Sequence, residues 1–376
     1  MATSKFSQSQ QSQTIDFMRF PLIVGVVFIH STQTAIQIDG VVYGASVADL
    51  PFMYYCSNLF SNVIARIAVP LFFFISGFLY FFNVYKFAGQ AYKNKLYSRM
   101  STLLVPYIFW NFIVFAVYYI MQNVSFLNGF TNKSLDLHNF MSYFWSNPGE
   151  MQEGYFDVTA IKNLKMPIAY QFWFIRDLMI AVLLVPIIYF FCKKTKIYGI
   201  LIVGILWFFQ WWFNFVGFSP ACFFFFTVGA YFGMNKRNLL NDFEKLKMIS
   251  FILYPLIVVI DLCTKKYNFN HFIHDIGIIV GIIFFFNLVA YLFEKEIIKP
   301  VKFLSAASFF LFATHDQFLL KPLRKISYVI FRPKSDLSIT SLYFINVFLT
   351  VLIALGIYYV LNRYFSKFTK IICGGR

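Results

Sequence analysis

Arg19 and His30 stand eleven positions apart in an otherwise apolar run over 17–37. Eleven residues make three turns of a 3.6-residue helix, so both side chains fall on one face, about 16 Å apart along its axis. That is about half the ~30 Å hydrocarbon core of a bilayer. A charged side chain at the centre of such a helix costs about 2.5–3.5 kcal/mol on insertion, so each one asks for a chemical reason. Histidine exchanges a proton near neutral pH, and arginine can hold an oxyanion, carboxylate or phosphate.

Other polar groups reach a similar depth by the same ruler. Arg66 sits near the outer start of a second span, and Arg176 and Asp177 lie in the first turns of a fourth. His315 stands about twelve residues, or 18 Å, above the inner end of a ninth. Coincident depth of His30, Arg66, Arg176 and His315 is what a shared outward-facing polar cavity produces. Each also has a plainer reading. Arg66 can snorkel, Arg176 can pair with Asp177, and His315 can be a structural hydrogen-bonder. His271 and His274 read as interfacial residues at the mouth of an eighth span, and His138 lies in a loop. Lys93, Lys95 and Arg99 precede the third span, either as membrane anchors or as a clamp for phosphates.

The elements that must position these groups are hydrophobic helices. Of 376 residues, 59% are hydrophobic and 13% charged, against roughly 25% charged in a soluble domain. Fifty-three Phe and 24 Tyr suit lipid-facing and interfacial positions. The expectation is an all-α polytopic bundle of about ten spans, at 17–37, 62–84, 102–122, 172–192, 198–216, 219–234, 248–264, 273–293, 303–320 and 340–362. A disordered tail over 1–16, one membrane domain over 17–364 with an outer loop at about 123–171, and a tail over 365–376 complete the plan. The net charge of +16 is spread in short clusters between apolar runs, which fits positive-inside loops and not nucleic acid. With the N-terminus inside, inner segments hold 19 of the 32 Lys and Arg and outer segments 10, which places both termini in the cytoplasm. The segment 321–334 disagrees. Its five basic residues are either an outer patch that attracts an anionic ligand or the sign of a miscounted span. Cys56, Cys192, Cys222, Cys263 and Cys373 are scattered, which supports neither a disulfide framework nor a metal site.

With the residues located, a resemblance becomes specific. The stretches R-F-P-L-I-V-G-V-V-F-I-H (19–30), V-P-L-F-F-F-I-S-G-F-L-Y (69–80), K-L-Y-S-R-M-S-T-L-L-V-P-Y-I-F-W-N (95–111), W-F-I-R-D-L (173–178), F-T-V-G-A-Y-F-G (226–233) and S-F-F-L-F-A-T-H (308–315) occur in order across nearly the whole chain. Together they resemble the acyltransferase-3 family of bacterial ten-span membrane acyltransferases. The family's Arg, ten residues, then His is met by Arg19 and His30. A second motif, Arg, two residues, Arg before the third span, is broken here, because Thr102 follows Arg99. Lys95 and Arg99 are instead similar to the polysaccharide-modifying branch.

The resemblance implies transfer of an acyl group, most often acetyl, from cytoplasmic acyl-CoA to a hydroxyl of a cell-surface polysaccharide or lipid-linked sugar. The bacterial inner membrane is the implied location, with acetyl-CoA as co-substrate, membrane lipids around the bundle and no metal. His30 then accepts the hydroxyl proton with Arg19 on its stripe. Lys95 and Arg99 hold the cofactor phosphates, and Arg66, Trp173, Arg176 and His315 line the acceptor side. Two other classes fit the composition. A glycan or lipid exporter also carries intramembrane Arg and His, though no two-fold internal repeat is evident, and a non-catalytic scaffold needs the polar cluster to be purely structural.

Overall fold

A computed structural model describes residues 5–375 apart from 34, 39–40, 45, 83, 85–86, 88, 125–134, 147–164 and 214. Most of the loop expected over 123–171 lies outside the described residues, as do Lys133 and Lys162. In chain order the elements begin with α1 (Gln8–Ser31), a short antiparallel hairpin of β1 (Ala35–Ile38) and β2 (Val41–Gly44), and α2 (Pro51–Ser57). A π-helical turn (Asn58–Val63) and a 3-10 turn (Ile64–Ile67) lead from α2 into α3 (Ala68–Phe82). Next come α4 (Gly89–Arg99), α5 (Val105–Asn123), α6 (Phe140–Trp145), α7 (Trp173–Leu183), α8 (Val185–Phe208) and α9 (Pro220–Met234). The chain continues through α10 (Leu239–Glu244), α11 (Lys247–Thr264), α12 (Asn270–Glu294) and α13 (Lys302–Thr314). A second π turn (His315–Leu320) joins α13 to α14 (Lys321–Phe331), and α15 (Asp336–Tyr364) and α16 (Ser366–Ile372) end the fold.

Among the described residues, seven helices are long and apolar enough to cross a membrane: Gln8–Ser31, Pro51–Phe82, Gly89–Asn123, Lys247–Thr264, Asn270–Glu294, Lys302–Phe331 and Asp336–Tyr364. The pair Tyr170–Leu183 and Val185–Phe208, bent by 64°, makes an eighth if counted as one span. The segments expected as separate spans at 172–192 and 198–216 meet within this run, at Lys196, whose backbone leaves the helical region at φ 53°. Pro220–Met234 has 15 residues, about 22 Å at 1.5 Å each, and falls short of the ~30 Å core by itself.

Three segments differ from expectation, each for a local reason. Residues 8–16, expected as a disordered tail, form the first turns of α1. Ser7 accepts the Gln10 N–H and Gln10 returns a bond to the Ser7 N–H, a reciprocal cap that satisfies two otherwise orphaned donors. The end of the span expected over 17–37 and the outer loop that follows it, 38–61, hold the hairpin and α2. Pro51 starts that helix, and the Asp336 carboxylate takes the Phe52 and Met53 N–H groups at 2.6 and 2.9 Å. The basic segment 321–334 is helical through Phe331 and stops at Arg332, in the left-handed region at φ 40°.

The chain divides into two compact units, one of Met1–Ile75 with Asn235–Tyr359 and one of Ser76–Met234 with Val360–Arg376. In the first, α1 packs against α13 and both turns between α2 and α3, and α11 packs against α12. Beside the last turn of α1, Ile36, Leu50, Met53, Ile339 and Tyr343 are buried together, with Phe28 and Tyr328 against them. Lys5 pairs with Glu244 and, at 2.7 Å, with Glu294, tying the start of the chain to α10 and α12. In the second unit, α8 and α9 pack together and α7 lies on α9. Trp110 Nε1 donates to the Ile372 carbonyl at 3.0 Å, anchoring α16 on α5.

Candidate active site

His30 occupies the last turn of α1, in the first unit. That end of the helix is fixed from the side: Ser61, on the first π turn, donates to the Phe28 carbonyl, and its hydroxyl meets Tyr343 Oη at 2.6 Å. Beyond it, Gln33 Nε2 donates to Tyr328 Oη on α14 at 3.0 Å. The His30 ring lies 4.9 Å from that of His315, centroid to centroid, at an angle of 50°. The structure thus brings together two histidines that are 285 positions apart in sequence.

His315 is fully buried at the first position of the second π turn. Its Nδ1 lies 2.7 Å from the Phe312 carbonyl and 3.2 Å from that of Leu311. A carbonyl only accepts, so Nδ1 carries the proton and, in the neutral ring, Nε2 presents a lone pair. That Nε2 has no hydrogen-bond partner among the described residues. The neighbouring Asp316 carboxylate is also fully buried and pairs with Lys321 at 3.1 Å. Both π turns flank α1 at this end, where the wider backbone repeat re-aims side chains.

Arg66 comes from the 3-10 turn between α2 and α3 and is 6% exposed, so it is enclosed by protein and does not snorkel to a surface. Its guanidinium donates to Asn62 Oδ1 at 2.9 Å and lies near enough to His30 and His274 for its charge to act on both. Arg19 stands on the same uninterrupted α1 as His30 and pairs with Asp16 at 3.2 Å while partly exposed.

The remaining expected residues lie in the second unit. Arg176 is fully buried; Nε donates to Asp177 at 3.2 Å, and one terminal nitrogen donates to the Trp145 and Lys165 carbonyls at 2.7 and 2.9 Å. Asp177 in turn accepts the Ser219 N–H at 3.2 Å. These contacts tie Arg176 to Asp177 on its own helix and to the Trp145 and Lys165 carbonyls. Trp173 is buried at the start of α7. Lys95 donates to the Tyr80 carbonyl in the last turn of α3, where a cation offsets the helix dipole. Arg99 closes α4, half-buried.

His274, expected at an interface, is buried, and this is where sequence reasoning missed most. Its Nδ1 donates to Asp261 Oδ2 at 2.8 Å. Lys265 and Asn270 take the other carboxylate oxygen at 2.8 and 2.7 Å. Asp261 stands inside the span expected over 248–264, so the cost of a charge in a membrane helix was a signal for it.

A family model described as an acyltransferase domain, that of acyltransferase-3, matches residues 13–361. A succinoglycan biosynthesis protein, ExoH, of Rhizobium meliloti (strain 1021) is 27% identical over 177 residues, which cover 47% of this chain and 42% of that relative. The match therefore spans under half the length of the curated relative. No solved structure matches the chain. With a family model spanning nearly all of its helices, the chain belongs to the acyltransferase-3 family and is a multi-pass membrane protein.

Proposed function

We propose that the protein transfers an acyl group, acetyl foremost, from acyl-CoA to a hydroxyl of a cell-surface or lipid-linked glycan at the bacterial cytoplasmic membrane. The observation that carries this reading is the His30–His315 pair at 4.9 Å, with Arg66 buried nearby, in a chain of an acyltransferase family. The name of the succinoglycan biosynthesis relative supports a polysaccharide as acceptor.

In this mechanism His30 takes the proton of the acceptor hydroxyl as its oxygen attacks the thioester carbon. Arg66 offsets the charge that grows on the carbonyl oxygen. The carbon–sulfur bond then breaks, the oxygen–acyl bond remains, and the proton passes from His30 to the departing thiolate. Lys95 and Arg99 supply cationic chemistry for the donor's phosphates, Arg99 with the bidentate geometry that phosphate favours.

The test is consumption of labelled acetyl-CoA by the purified protein in proteoliposomes with a glycan acceptor. His30→Gln is expected to lose at least ~10²-fold in turnover while eluting as a folded species in detergent. Full turnover in that variant removes His30 from the mechanism, and an absence of donor consumption by the wild type favours an exporter.

A further inference from the structure

We infer that His315 is a positioning residue for His30: its Nε2 lone pair receives the second N–H of His30 when His30 becomes an imidazolium. The inference rests on the proposed function and goes beyond it, since the sequence placed His315 among acceptor contacts or as a structural hydrogen-bonder.

Three observations carry it. The tautomer of His315 is set by its own helix, because the Phe312 and Leu311 carbonyls both face Nδ1. With Nδ1 protonated, Nε2 can only accept, and it is a buried nitrogen with no partner among the described residues. Leaving a buried acceptor unpaired costs about 1–3 kcal/mol, so such an atom in a tightly packed helix asks for an occupant. The ring in contact is His30, at 4.9 Å.

The role follows from the proton balance. When the acceptor hydroxyl gives its proton to one nitrogen of His30, the other nitrogen also carries a proton and the ring is positive. A fixed acceptor on that second N–H holds the ring in the productive orientation and stabilises the cation, as an orienting carboxylate does in a catalytic triad. A neutral imidazole does so without placing a second negative charge in the membrane. Asp316 is adjacent in sequence, but its pairing with Lys321 turns that carboxylate to another task. Nothing in the scheme is consumed. The proton returns from His30 to the thiolate, and His315 keeps its own on Nδ1 throughout.

The experiment compares His315→Asn, His315→Gln and His30→Gln in the transfer assay, beside 15N spectra of wild-type protein with labelled histidine. Asparagine can keep the bond to the Phe312 carbonyl but has no acceptor at the Nε2 position. Its kcat should fall ~10²-fold with the acceptor KM within about twofold, and its pH–rate profile should move. Glutamine, which carries an amide to that position, should recover part of the loss. In the spectra His315 should be protonated at Nδ1 and bare at Nε2. A proton on Nε2 overturns the inference whether or not the variants fold. So does an unchanged kcat in His315→Asn, a loss confined to KM, or a loss with an unmoved pH profile and no recovery by glutamine. Loss in His30→Gln with full turnover in His315→Asn overturns this inference alone, full turnover in both removes His30 from the mechanism as well, and no donor consumption by the wild type removes the proposed function.

Discussion

A charge in a membrane helix must be matched by a partner or used, and the two histidine clusters of the first unit show both outcomes. Around Asp261 the carboxylate itself is matched: His274, Lys265 and Asn270 surround it. Removing that carboxylate leaves an uncompensated ammonium and a histidine without its acceptor, so Asp261→Asn should destabilise the protein by about 3–5 kcal/mol. A thermal unfolding series in detergent checks this, and a midpoint equal to that of the wild type contradicts it. His274 Nε2 and His315 Nε2 are both buried nitrogens without a hydrogen-bond partner among the described residues, and that of His315 belongs to the ring beside His30. Sequence reasoning reached His30, Arg66 and His315 because each breaks an apolar run. It did not reach the Asp261–His274 contact, which depends on how α11 and α12 align, a quantity that spacing along one helix does not contain. For Arg176 it offered the pairing with Asp177 but not the bonds to the Trp145 and Lys165 carbonyls, which come from outside the helix that bears it.

Helix placement was legible wherever an apolar run is long, because hydropathy records lipid contact directly. It was not legible where a helix is held from far away. α2 owes its capped N-terminus to Asp336, 284 positions on, and no local pattern announces that. The close approach of α3 and α9 is likewise a matter of which small residues meet. A Cβ on Gly77 would lie 2.1 Å from the Phe226 carbonyl oxygen, and one on Gly233 would lie 2.4 Å from that of Phe78. Backbone cannot yield as a flexible side chain does, so the helices must part. Gly77→Ala and Gly233→Ala are each expected to cost about 1–3 kcal/mol. Retained stability in both, by the same thermal series, would mean that the two helices pack with slack.

Across the whole molecule, an all-α bundle and its membrane class were legible from composition alone, since so few charged residues cannot cover a soluble surface. The division into two units was not, because each is assembled from separated stretches of chain. Lys5 shows how such stretches are joined. Its hydrogen bonds to Glu244 and Glu294, with their negative charges, hold its ammonium above the usual lysine value of 10.5. A raised pKa means that the folded chain binds this proton more tightly, so the stabilisation is present below 10.5 and is lost as pH climbs through the raised value. The side chain is 44% exposed, so solvent keeps the effect small. Lys5→Gln should lower the unfolding midpoint slightly at neutral pH and match the wild type in strong alkali; a constant gap at all pH values argues against the ion pairs. The central claim, that a histidine within this bundle moves an acyl group onto a glycan, is tested most directly by mass spectrometry of surface glycans from cells carrying the wild type or His30→Gln. The account predicts an alkali-labile acyl ester on the wild-type glycan and none with the variant. The same ester with both, at equal occupancy, contradicts it.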